Sequence, residues 1–131
     1  MRVFKYLRIF LVLVALHSIA VGINLISFPP EWMTEFGFTT ITNNFFKVQG
    51  GVFHIVMAIA YLLAAWKPVE YRILIVFSIS AKGIATIFLF TYYLIYPTTV
   101  MILISGIVDF LMGLCLFILY KYSGLSGSTD S

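Results

Sequence analysis

Cysteine is nearly missing from this chain of 131 residues. Cys115 stands alone, which excludes an internal disulfide, a Cys-x-x-Cys redox pair and a thiolate zinc site built from two to four cysteines. Charge is scarce as well: five acids and eight bases make up 10% of the residues, against 62% hydrophobic. Mean hydropathy is +1.07, and a chain this short buries too little of its surface to hide that much apolar area from water. A soluble enzyme is therefore excluded. The usual signatures of chemistry are absent too. Gly50-Gly51 lacks the strand, helix and lysine context of a nucleotide-binding loop, and no GxSxG or HExxH pattern occurs. The net charge of +3 does not point to nucleic acid, because the basic residues are dispersed rather than gathered in one stripe.

What the chain does have is long apolar runs. Crossing about 30 Å of hydrocarbon takes roughly 20 helical residues, and four windows meet that length: about 4–27, 44–66, 73–96 and 99–122. Prolines punctuate them at Pro29-Pro30, Pro68 and Pro97. Arg2, Lys5 and Arg8 at the head of the first span, Lys67 and Arg72 between the second and third, and Lys121 at the close of the fourth all belong to one side. The 28–43 segment holds Glu31 and Glu35 and no base. By the positive-inside rule both termini are cytoplasmic and 28–43 is outside. Trp32, Trp66, Tyr71, Tyr96 and Tyr120 then fall near the interfaces. The expected fold class is all-α, a four-transmembrane-helix antiparallel bundle over residues 1–122, with a disordered cytoplasmic tail at 123–131.

Two local points have alternatives. The start resembles a signal peptide, with an n-region at Arg2 to Arg8 and small residues at Ser18-Ile19-Ala20. Its apolar character runs on to Ile26, longer than an ordinary h-region, and favours a retained helix. The 28–43 segment mixes acids with large apolar residues after a Pro-Pro stop, and reads either as an interfacial helix lying on the outer surface or as a loop.

One ionisable residue per span lies deep in the apolar run: His17, His54, Lys82 and Asp109. An ionised side chain there costs roughly 2.5–3.5 kcal/mol on insertion scales, so it should face protein or water and have a partner. Residues four apart share a helix face. His54 lies between Gly50 and Ala58, Lys82 between Ser78 and Thr86, and Asp109 between Ser105 and Gly113. With Gly51, these small and hydroxylated residues form the expected packing core, because they let membrane helices approach closely. His17 has Leu13 and Val21 at the matching positions and lacks such a stripe. Short connections make spans two, three and four neighbours, so Lys82 and Asp109 are expected to pair. Such a pair either fixes helix register or, with the histidines, binds a polar head or carries protons.

His17 and His54, at matched depth, also have the chemistry to ligate a b-type haem, although a core histidine bonded to Ser, Tyr or water is the commoner case. No other metal or cofactor site is expected. Lys47 lies a few residues from the outer end, where it is expected to snorkel beside Gln49, forming an outer mouth or anchoring the helix.

The stretch Lys47-Val48-Gln49-Gly50-Gly51-Val52-Phe53-His54, followed by the apolar run Ala58 to Trp66 and Lys67-Pro68, resembles the second helix of DoxX-like small membrane proteins. These show a basic residue before Gly-Gly and an apolar run ending near a proline. The resemblance extends over residues 44–122 in layout, with a base in the third span, here Lys82, and an acid in the fourth, here Asp109; lysine and aspartate stand where arginine and glutamate are expected. It implies a four-helix bundle in a bacterial inner membrane, in a family linked to respiratory or thiol-redox complexes as a small subunit, with no catalytic centre in this chain. Gly50, Gly51, Lys82 and Asp109 are the positions it carries over.

The function expected is an accessory or scaffolding subunit that docks a membrane-protein partner or a second copy of itself in the bilayer. The alternative is a small carrier or binding protein for protons or a weakly polar lipid-like ligand.

Overall fold

The computed structural model describes residues 2–39 and 44–127. Residues 40–43 of the expected outer segment and 128–131 of the expected tail lie outside the described residues. Five helices are present, and no strand among the described residues: α1 (Arg2–Ser27), α2 (Pro30–Glu35), α3 (Phe45–Trp66), α4 (Arg72–Ile95) and α5 (Val100–Tyr122). The four long ones are long and apolar enough to cross a membrane, and fall within two residues of the expected spans at every end.

Their ends follow from local chemistry. α1 stops before Pro29, and Pro30 then opens α2 at a position where its missing N–H is not needed. Tyr96 is extended (φ −113°, ψ 138°) ahead of Pro97, as a residue before proline must be. The Thr99 hydroxyl accepts from the Met101 N–H (3.2 Å) and so caps α5, while donating to the Phe36 carbonyl (2.6 Å). That second bond ties the segment after α2 to the start of α5. It also explains Gly37, whose positive φ of 84° brings its backbone against Thr99, leaving only 2.9 Å between a Cβ there and the hydroxyl.

Each long helix buries a narrow stripe. On α1 it is Leu7, Leu11, Val14, Ala15, Ser18 and Gly22; on α3 it includes Lys47, Gly51, Ala58, Tyr61 and Ala64. Ile75, Ser78, Lys82 and Thr86 form it on α4, and Gly106, Gly113 and Leu116 on α5. At most 28% of the apolar window of any of the four is buried, and the remainder presents large side chains such as Phe53, Ile84, Ile87 and Leu94 outward. An exterior this apolar is far beyond the patches a water-soluble monomer exposes. Together, length and surface point to an integral membrane protein.

The helices form a ring in which α1 packs on α3 and α5, and α4 on α5 and α3, with no close backbone approach across either diagonal. Connection length ranks these contacts poorly. α3 and α4, joined by only Lys67 to Tyr71, touch least, while α1 and α3, separated by the longer outer segment, touch most. Small residues decide it. A Cβ on Gly51 would lie 2.7 Å from the Gly22 carbonyl oxygen, and one on Gly22 2.8 Å from the Gly51 oxygen, so the two backbones meet there.

Beyond α5, the Ser123 to Gly127 segment, expected as the start of a disordered tail, turns back on the bundle. Leu125 is buried and its carbonyl accepts from Arg72 (3.3 Å).

Candidate functional site

Lys82 is the most deeply placed cation, with 5% of its surface exposed. It sits on the buried stripe of α4, and Gly113 of α5 lets that helix approach until a Cβ at 113 would be 3.0 Å from the Lys82 Cβ. At that separation the Lys82 Nζ reaches the Asp109 Oδ1 at 2.5 Å, the side chains being 6% and 15% exposed. The Tyr61 ring of α3 lies 5.9 Å from the same ammonium. Three helices thus converge on one charge. The pair is the interhelical salt bridge among the described residues; the other, Lys67 to Glu70 (2.7 Å), is local and exposed.

The remaining long helix, α1, contributes serine and histidine. Ser18 of α1 is fully buried and donates to the His54 carbonyl (2.8 Å). With its single proton used there, its approach to His54 Nδ1 (3.3 Å) is a hydrogen bond only if Nδ1 carries the hydrogen. His17 is half-buried, and its Nδ1 is buried with no hydrogen-bond partner among the described residues. Of the expected quartet, Lys82 and Asp109 are in direct contact, while His54 meets α1 through Ser18.

The expected packing core is partly redrawn. Gly51, Ala58, Ser78, Thr86 and Gly113 are buried, as the four-residue spacing requires. Gly50 is half-buried, with Leu25 Cδ1 no nearer than 3.9 Å to a Cβ there, so Gly51 alone makes the close contact. Ser105 is exposed, and its neighbour Gly106 faces inward against Leu89 and Phe90. The hydroxyls do not bridge helices either. Ser78, Thr86 and Ser105 donate to the carbonyls of Leu74, Lys82 and Met101, each four residues back on its own helix.

Lys47 departs most from expectation. Rather than snorkelling outward, it is 8% exposed and donates to the carbonyls of Leu25 (2.5 Å) and Phe28 (2.9 Å), while Gln49 is exposed. The first lies in the last turn of α1 and the second just beyond it, so the cation meets the negative end of the helix dipole. Arg8 does the same for α3, donating through Nε to Ala65 O (2.8 Å) and through Nη2 to Trp66 O (3.4 Å). α1 and α3 each close the other's C-terminal end. Lys47→Met should leave two inward carbonyls without a donor and lower stability by about 1–3 kcal/mol, read as a lower thermal midpoint in detergent; an unchanged midpoint would show the bonds to be dispensable.

No packing or site role was expected for Ser18, Gly22, Tyr61 or Arg8: Ser18 figured only in the signal-peptide alternative and Arg8 only as a flanking charge. The signal for the first two was present: Leu11, Ala15, Ser18 and Gly22 follow helical spacing, one position beyond the stripe that centring on His17 selects. An apolar groove of about 440 Å³ opens beside the ion pair, between α4 and α5, with Lys82 and Asp109 among its lining and Ile79, Phe90, Phe110 and Leu114 as walls. No group of three or more His, Cys, Asp or Glu side chains able to hold a metal occurs among the described residues. The chain matches no family model, no curated protein and no solved structure in comparisons with each.

Proposed function

We propose that this protein is a small accessory or scaffolding subunit of a larger membrane complex, of the DoxX-like type. Its four helices run antiparallel through a bacterial inner membrane with both termini in the cytoplasm. The observation that carries this reading is the closed Lys82 to Asp109 pair where side chains of α3, α4 and α5 meet, set in a bundle whose long helices present many large apolar side chains outward. Such a pair sets helix register without needing a substrate, and the apolar faces of the four long helices supply surface for lateral association with other membrane helices. Purification in mild detergent followed by native mass spectrometry tests it. A second membrane polypeptide at fixed stoichiometry is expected; a monomer or homodimer that performs alone in liposomes would count against it.

The groove between α4 and α5 favours a second reading, a carrier or binding protein for a weakly polar lipid-like ligand. Its volume lies in the range of small-molecule sites, and Asp109 retains one oxygen that no donor among the described residues reaches. Gly83 lines it with open space around its Cβ position, so Gly83→Leu should fill the groove with the fold intact. Ligand binding lost in both Gly83→Leu and Asp109→Asn, with unchanged helicity, would favour this reading over the first. Haem ligation by His17 and His54 has less support, because the Ser18 to His54 and Gly22 to Gly51 approaches leave little room for a macrocycle between α1 and α3. A visible spectrum without a Soret band would remove it.

A further inference from the structure

At the end of the bundle where α1 begins and α3 stops, a second groove of about 410 Å³ runs along the seam between the two helices. Its mouth holds Lys5 and Arg8, its floor continues inward over Ile9, Val12 and Leu62, and Trp66 flanks it, 62% exposed. Cations above an apolar trough match the two halves of an amphiphile. A soluble anion has no use for the trough, and a neutral lipid none for the cations.

The charges there are available. Arg8 uses two of its five N–H donors on the Ala65 and Trp66 carbonyls, which fixes its guanidinium at the groove and leaves three donors. Lys5 is exposed and has no partner among the described residues. Lys67, next to Trp66, is already matched by Glu70, whose carboxyl is held below its usual range by the Lys67 hydrogen bond. Arg2 adds a further exposed cation one turn from Lys5. The carbonyl end of α3 would by itself repel an anion, so an anion here depends on these bases.

We propose that this groove is a binding site for an anionic phospholipid. The phosphate is held by Lys5 and the free donors of Arg8, and one acyl chain lies in the trough over Ile9, Val12 and Leu62. The site rests on the reading that the four helices cross a bilayer, which places the groove at headgroup depth, where basic pockets between helices select anionic lipids.

The chain has two tryptophans, Trp32 and Trp66, so Trp32→Phe leaves a reporter in the groove. In this background, reconstituted into phosphatidylcholine vesicles, acyl-brominated phosphatidylglycerol should quench Trp66 at about fivefold lower mole fraction than brominated phosphatidylcholine for each cation engaged. Lys5→Gln should remove about fivefold of that preference, and Lys5→Arg should keep it. Val12→Phe should weaken phosphatidylglycerol quenching with every charge in place, a change that mere accumulation of anionic lipid near a basic surface would not produce. Equal quenching by the two lipids in a protein that resists carbonate extraction would overturn the lipid site alone. Quenching unaffected by Lys5→Gln and Val12→Phe would do the same. Protein stripped from the vesicles by carbonate would overturn the membrane-spanning reading and the lipid site with it.

Discussion

Lys82→Met is expected to lower the stability of the protein in detergent by about 3–5 kcal/mol, the largest effect of any single substitution proposed here. The reason is the partner left behind: Asp109, 15% exposed, would lose the one donor that reaches it among the described residues, and its carboxylate would stay in an apolar wall. Asp109→Leu should act similarly in reverse, stranding an ammonium that is 6% exposed. Combining the two removes both charges. Replacement of a buried pair by apolar side chains of similar volume is often neutral, so Lys82→Met with Asp109→Leu should recover most of the loss. SDS titration or thermal unfolding of the four proteins reads this cycle. Additive losses, with no recovery in the double variant, would mean that the two side chains act independently.

Gly51→Ala should lower stability by about 1–3 kcal/mol, whereas Gly50→Ala, one residue away, should be neutral or raise it by up to about 1 kcal/mol. At 51 the added methyl would meet the Gly22 carbonyl oxygen and Ile26 Cγ1, each at 2.7 Å. The first is backbone, so α1 and α3 must separate. Separation would stretch the Ser18 to His54 bond on one side of that point and the Lys47 bonds to Leu25 and Phe28 on the other. At 50 the nearest atom is 3.9 Å away, and exchanging glycine for alanine only improves helix propensity. Equal midpoints for the two variants, measured by circular dichroism on heating, would contradict the close contact between the helices.

These two sites show how unevenly the structure could be read from sequence. Span boundaries were legible because length, hydropathy and proline act locally: Pro29, Pro68 and Pro97 each stand just beyond a helix end. Convergence of Lys82 and Asp109 was legible because an isolated charge in a span has few acceptable places to go. Lys47 was not, since four flexible methylenes can carry its ammonium outward or inward, and the inward choice depends on the free carbonyls of another helix. Nor could spacing distinguish Ser105 from Gly106, adjacent residues of which only the second faces the bundle. A helix's rotation about its axis is set by its neighbours, and a chain apolar on all sides carries little periodicity to reveal it.

Solid-state NMR of the protein in bilayers, with 15N at lysine Nζ and 13C at aspartate Cγ, measures the central contact directly. The chain contains only Asp109 and Asp130, so the carboxyl signals are separable by Asp109→Asn. A strong nitrogen–carbon dipolar coupling that vanishes in Asp109→Asn and in Lys82→Met is expected from an Nζ to Oδ1 contact of 2.5 Å. Absence of that coupling, with either side chain instead showing magnetisation transfer from lipid acyl protons, would contradict the shared interior on which the reading of this protein rests.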